Sequence, residues 1–366
     1  MCQGIITDIN MIPALDIDER QRLEKVQEWY GLKVTDYYLS LIDWDDPDDP
    51  IRRIVIPDPK EIDFEGKMDP SKESHYTKLP GLQHKYRETA LLLCSDECAG
   101  LCRFCFRKRL FINENPDTIQ DFDGAIEYIR EHNEISNALI TGGDSLCLST
   151  KKLEEIISKL RDIEHVGIIR LGTKIPAYNP YRIINDPKLP LLIERFSTPS
   201  KRIYVMCQFN HPTELTGTAL ESLEILTNAG AILMNQTPLI RGVNDDPGIL
   251  SKLSKKLALA GVRPYYVFQC RPTVGNRIFT LPVENGFEIF ENAKKDCCGL
   301  EKTAKYMISH RTGKIEVTGL TRDSIYFKYA QAAESKNIGR FMAYKRNPEA
   351  IWFDDYDDML FSSQIP

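Results

Sequence analysis

The sequence predicts an α/β protein built on a parallel sheet, and three observations carry that expectation. Six short apolar runs recur between residues 90 and 270. Helix-patterned stretches separate them, so the chain alternates strand and helix. The polar residues gather just after the runs, at the strand ends where parallel α/β folds build their sites.

The first 85 residues are charged and broken by prolines. "DERQRLEKVQEWYGL" has helical patterning, and "WDDPDDP" reads as an acidic, turn-rich loop. The strand runs follow: "ALLLCSD" (90–96), "NALITGGD" (137–144), "VGIIRLGT" (166–173), "RIYVMCQFN" (202–210), "AILMNQTPL" (231–239) and "VRPYYVFQC" (262–270). Between them, "TKKLEEIISKLRDI", "PTELTGTALESLEILTNAG" and "DPGILSKLSKKLALAG" space their apolar residues as helices do. Gly230 and Gly261 stand where helix-ending C′ glycines belong. Six strands are too few for a closed eight-stranded barrel but suit an open (βα)6 barrel or a doubly wound sheet. Beyond residue 300, "KYMISHRTGKIEVTGLTRDSIYFKYA" reads as antiparallel strands, followed by an aromatic, acidic tail.

At 366 residues and 42% hydrophobic, the chain can bury a sizeable core. A net charge of −6 argues against a nucleic-acid partner. No apolar run has membrane-span length, and the N-terminal residues lack the pattern of a signal peptide. The expectation is a cytoplasmic protein, in which clustered thiols bind metals or do chemistry more often than they form disulfides.

Four of the 10 cysteines fall within "CSDECAGLCRFCFRKR" (94–109). Cys94 belongs to the strand and is expected to pack. Cys98, Cys102 and Cys105 form C-x3-C-x2-C. Structural zinc usually takes four ligands, often as two CxxC pairs, and no second pair with ligand spacing exists here. Three thiolates suit a 4Fe–4S cluster whose fourth iron stays open to a small molecule. Zinc and incidental thiols are the other readings.

C-x3-C-x2-C after the first strand of such a pattern resembles the radical S-adenosylmethionine (SAM) superfamily. The resemblance implies a partial (βα)6 TIM-like barrel (86–300) with an N-terminal helical and loop extension (1–85) and a β-containing C-terminal segment (301–366). It also implies a 4Fe–4S cluster on Cys98, Cys102 and Cys105, with SAM on the open iron. "TGGDSL" (141–146) matches the glycine-rich turn that faces SAM, placing Gly142, Gly143 and Asp144 there, with Asp144 orienting the turn. Thr173, Gln208, Asn210 and His211, at later strand ends, are further candidate contacts.

"CRFCFRKR", "LITGGDSL", "FNHPTELT", "NQTPLIRGVNDD", "VRPYYVFQC" and "GKIEV" resemble, in order, segments of the lysine 2,3-aminomutase family over roughly residues 30–320. The resemblance implies a PLP-dependent 2,3-aminomutase that moves an amino group from Cα to Cβ of an amino acid, supplied with electrons by a flavodoxin- or ferredoxin-type donor. Lys314 matches the PLP lysine, although the flanking "HRT" replaces the family's glycines. Tyr86 would stack on PLP, Lys85 stands for an arginine at its phosphate, and Gln236 would be a polar contact. Arg107 matches the arginine that grips the substrate carboxylate. Lys108 is expected to face solvent, and Arg109 to face solvent or contact a phosphate.

Two aspartates that hold a lysine substrate's ammonium in this family are absent. One position is Arg271, and near the other stand Met307, Ile308 and Ser309. Arg271 would repel a second ammonium, so an acidic or polar amino acid is expected instead of lysine. No cysteine follows Cys298, so a homo-oligomer would form without the family's intersubunit zinc clip. The alternatives are another radical SAM reaction on an amine or a protein lysine, and a non-catalytic iron–sulfur or metal-binding regulatory protein.

Overall fold

The computed structural model describes residues 4–112 and 117–364. Two short strands, β1 (Ile5–Ile6) and β2 (Val34–Thr35), pair antiparallel. The antiparallel strands β3 (Thr77–Leu79) and β4 (Leu82–Tyr86) open the main sheet. The runs expected as strands follow as β5 (Thr89–Ser95), β6 (Asn137–Gly142), β7 (Ile168–Thr173), β8 (Arg202–Cys207), β9 (Ile232–Leu239) and β10 (Arg263–Gln269). The sheet ends with β11 (Lys305–His310), β12 (Gly313–Leu320), β13 (Ser324–Ala332), β14 (Phe341–Lys345) and β15 (Met359–Ser363). Neighbours in space are neighbours in sequence from β3 to β15, one open sheet of 13 strands.

Strands β5 to β11 all pair in parallel. The chain after 300 therefore corrects the sequence expectation: β11 is a seventh parallel strand, and only from β12 does the sheet turn antiparallel. An apolar run such as "KYMISH" fits either orientation. Here the helix Val283–Lys295 precedes it and makes the crossover that a parallel neighbour requires.

The crossover helices begin where their caps place them. Ser149 accepts from Lys152 N, Thr216 from Ala219 N and Asp246 from Ile249 N, and each of these helices buries one apolar stripe. Gly230 and Gly261 have φ of +84° and +72°, the left-handed ending expected of them. Strands such as β6 and β8 bury Ala138, Ile140, Ile203 and Val205 completely between helices and sheet. Each such Ile or Val contributes about 1.5–3 kcal/mol by leaving water. A second core, with Phe287, Tyr306, Ile315 and Phe327, fills the C-terminal part of the sheet. Among the described residues, no helix is long and apolar enough to cross a membrane.

Candidate active site

Residues of strands β4 to β13, with the loops that follow several of them, line one cavity of about 330 Å³. Cys98, Cys102, Cys105, Gly142, Gly143, Asp144, Thr173 and Gln208 line it, as do Lys85, Tyr86, Arg107, Gln236, Arg271 and Lys314. Residues far apart in sequence therefore share one chamber.

The cysteine loop follows β5 and is pinned from outside by Arg103. This fully buried guanidinium makes Nε and Nη2 bonds of 2.9–3.1 Å to Glu61, and donates to the carbonyls of Gly31 and Tyr30. Arg103 N also donates to Ile54 O, tying the loop to the N-terminal segment. Neither Arg103 nor Glu61 was singled out from sequence.

Among the described cysteines none is in a disulfide, and Cys94 packs against the main core as expected. Burial pushes the thiols of Cys98, Cys102 and Cys105 up; Cys98 also feels the charge of Asp144, Cys105 and Cys102, while Arg107 and Lys108 draw Cys105 the other way. As thiolates the three would need cationic partners, which the irons of a cluster would supply. Among the described residues, His84, His132 and Glu134 are the metal-type ligands that gather within 4.8 Å of one another. Cys98, Cys102 and Cys105 all open on the chamber, so a group held by the three thiolates would turn its free side to the cavity. The donor set fits a cluster better than a single ion.

The turn after β6 is welded to the cysteine loop. Gly143 N donates to Ser95 O (2.6 Å) and Asp144 N to Glu97 O (2.8 Å). A Cβ on Gly142, which has φ of +120°, would strike the Ser95 carbonyl, and one on Gly143 would strike that of Glu97. Asp144 accepts from Thr173 Oγ1 (2.6 Å), Lys174 N (2.5 Å) and Leu146 N (2.9 Å). These bonds tie the turn after β6 to the end of β7.

Lys314 projects from β12, opposite Ser309 on β11 and Gln331 on β13. Its ammonium lies 4.9 Å from the Tyr266 ring centre. A Cβ on the preceding Gly313 would strike the Gln331 carbonyl, so one glycine of the expected run is required by β13 itself. Burial, with Arg170, Arg271 and Lys85 nearby, lowers the Lys314 amine to about 7. Lys85 donates to His310 O (2.6 Å) and is likewise lowered to about 7, by burial and by Arg271. Arg271 lies over the Phe106 ring at 3.6 Å and donates from Nη2 to Ser309 Oγ (2.9 Å), while its buried Nη1 has no partner. Arg170, on β7, also lines the chamber with Nε unpartnered; it carried no distinguishing sequence pattern.

Arg107 lines the chamber but is already held. Its Nε and Nη2 donate to Glu73 at 3.1 and 2.9 Å, and Nη1 to Thr141 Oγ1 at 3.3 Å. One N–H on each terminal nitrogen remains, so the end of the fork stays available for a carboxylate. Arg109 joins the same Glu73 (2.6 Å) and Asp117 (2.9 Å). Burial alone would raise the Glu73 carboxyl, but the two arginines hold it well below the usual range.

Three expectations change. Lys108 does not face solvent: it is fully buried, with Nζ 3.8 Å from Glu61 Oε2 and 5.0 Å from the ring centres of Trp29 and Tyr30. Asn210 does not line the chamber; its Oδ1 accepts from Lys174 Nζ (2.8 Å) and Gln208 Nε2 (3.2 Å) behind it. His211 caps the turn at Pro212–Glu214 and does not line the chamber either.

A cysteine triad after the first parallel strand, with a glycine turn bonded to its loop, is the arrangement expected of a radical SAM enzyme, and Lys314 shares that chamber. Comparison with known proteins narrows this. A protein of Aquifex aeolicus (strain VF5), provisionally named L-lysine 2,3-aminomutase, is 49% identical over 356 residues, 97% of this chain and 95% of its own length. The L-lysine 2,3-aminomutase of Clostridium subterminale is 38% identical over 80% of this chain and 70% of its own. The glutamate 2,3-aminomutase of Clostridioides difficile (strain 630) is 34% identical over 78% and 68%. No protein-family model matches. The chain belongs to the lysine 2,3-aminomutase family of radical SAM isomerases. Enzymes of this family use a 4Fe–4S cluster, SAM and PLP.

Proposed function

We propose that this chain is a PLP-dependent 2,3-aminomutase acting on an α-amino acid with an acidic or polar side chain. The observation that carries the substrate reading is the charge of the chamber. Its lining holds six basic side chains, Lys85, Arg107, Arg170, Lys174, Arg271 and Lys314, against two carboxylates, Glu73 and Asp144. Such a chamber disfavours a second ammonium and favours anionic occupants, here a cofactor phosphate and a substrate with more than one acidic or polar group.

Cys98, Cys102 and Cys105 would hold the cluster, and Gly142, Gly143, Asp144, Thr173 and Gln208 the SAM face of the chamber. Lys314 would hold PLP, with Tyr86 and Gln236 beside it and Lys85 toward its phosphate. When bound, the cluster and SAM supply the hydrogen-abstracting radical, and PLP carries the migrating amino group. The residues do the rest. Arg107 receives the α-carboxylate on the end of its fork, Arg271 receives the side chain through its unpartnered Nη1, and Lys314 offers a neutral amine near pH 7. Tyr86, Phe106 and Phe268 exclude water. The same reading includes a sheet curled into a partial (βα)6 barrel between N- and C-terminal extensions, and electrons from a flavodoxin- or ferredoxin-type donor.

The test is anaerobic reconstitution of the full chain with iron, sulfide and PLP, followed by dithionite, SAM and a panel of amino acids. A β-amino acid from glutamate or another acidic or polar substrate, found by mass spectrometry, is the expected product. Conversion of lysine in preference to all of these would overturn the substrate reading.

A further inference from the structure

We propose that Tyr178 donates a hydrogen bond to the cluster ligand Cys102 and thereby raises the reduction potential of the cluster, an inference that rests on the cluster reading above. Tyr178 Oη lies 2.9 Å from Cys102 Sγ. A cysteine bound to iron is a thiolate with no proton to give, so the phenol must be the donor.

The ring is fixed on every side. Tyr178 is 2% exposed, at the end of the short helix Ile175–Tyr178 that follows β7. Tyr38 meets it edge-on at 4.5 Å between ring centres. Lys174 Nζ sits 4.9 Å from its centre, itself held by Glu214, by Asn210 Oδ1 and by the Gln208 carbonyl. Thr35 Oγ1 donates to the Tyr178 carbonyl at 2.5 Å. On the cysteine side, a Cβ on Gly100 would sit 3.1–3.3 Å from three ring atoms. The glycine inside the C-x3-C spacer therefore makes room for this ring. A phenol packed so tightly, with its hydroxyl on a ligand sulfur, is placed to act on that sulfur.

Hydrogen bonds to the sulfurs are one of the levers on an iron–sulfur potential. Accepting an electron from the external one-electron reductant adds negative charge to the cluster, and a donor on a ligand stabilises that reduced form more than the oxidised one. No covalent bond changes at Tyr178.

The experiment is a redox titration of the full chain, reconstituted anaerobically without SAM, with reduced cluster counted by electron paramagnetic resonance. Tyr178→Phe removes only the hydroxyl and is expected to shift the midpoint negative, so that the reduced fraction at a fixed low potential falls several-fold. Tyr38→Phe, which removes a buried hydroxyl bonded to Glu214 and to no cysteine, is expected to titrate as the wild type does. Site-specific 3-fluorotyrosine at 178, a stronger donor of nearly the same shape, is expected to shift the midpoint positive, and it decides the matter should the phenylalanine variant lose iron. Unchanged midpoints in both position-178 variants, or an equal shift in Tyr38→Phe, would overturn the proposal while leaving the cluster reading intact. A wild-type chain that takes up no iron would overturn both.

Discussion

Glu73 and Arg107 meet side-on, carboxylate to guanidinium, through two bonds of 2.9 and 3.1 Å. Arg109 closes on the same carboxylate, so Glu73 neutralises one cation and aims another. Only the terminal nitrogens of Arg107 remain directed at the chamber. Glu73 is thus a positioning residue for the proposed carboxylate grip.

Replacing it tests that role. Glu73→Gln is expected to raise KM for the amino acid about tenfold with a smaller effect on kcat, and to cost about 3–5 kcal/mol of stability by stranding buried cations. The wild-type carboxylate is held below its ordinary value of 4.5, so its stabilising contribution is present above that pH and fades as pH falls through its lowered value. The acid-side loss should be shallower in Glu73→Gln. Steady-state kinetics and urea unfolding across pH measure both effects, and an unchanged KM would show that Arg107 needs no such clamp.

Lys314 makes a prediction about pH. Its amine, lowered from 10.5 to about 7, sheds its proton more easily folded than unfolded. The rate of PLP capture by the cofactor-free chain should therefore rise through about pH 7 and level off, where an ordinary lysine would keep accelerating toward 10. For the same reason this group's contribution to stability rises with pH between about 7 and 10.5. Stopped-flow absorbance of PLP follows the capture, and Lys314→Ala should abolish it. A rate still climbing steeply above pH 9 would refute the assignment.

Arg271 and Ser309 stand near where lysine-specific relatives would need acids, and Arg271→Asp should reverse the preference of the chamber. Competition between glutamate and lysine, read as the ratio of β-amino products, is expected to move toward lysine by at least tenfold, about 1.4 kcal/mol. An unaltered ratio would remove Arg271 from the substrate site.

How much of this was legible beforehand depended on range. Cys98, Cys102 and Cys105 sit within one loop, and Gly142 and Gly143 within one turn, so short spacing displayed their chemistry. The six central strands were legible because a strand buried on both faces is a plain apolar run. Glu73 and the Arg103–Glu61 pair were not, because an ion pair between residues 34 or 42 positions apart leaves no periodicity in the chain. Lys108 misled for a related reason: in "RKR" it looks solvated, and only the rings of Trp29 and Tyr30, brought over it by the N-terminal segment, bury it. The parallel pairing of β11 was hidden because side-chain alternation does not encode strand direction.

The sheet grows in the order in which the chain is synthesised, and that has a consequence for biogenesis. A nascent polypeptide emerging from the ribosome possesses its cysteine ligands and glycine turn well before the lysine hairpin of β11 and β12 exists. Until then Ser309, Lys314 and Gln331 are missing from the wall they complete. Translation arrested at that stage would leave the cysteine loop and glycine turn made but the wall that carries Lys314 missing.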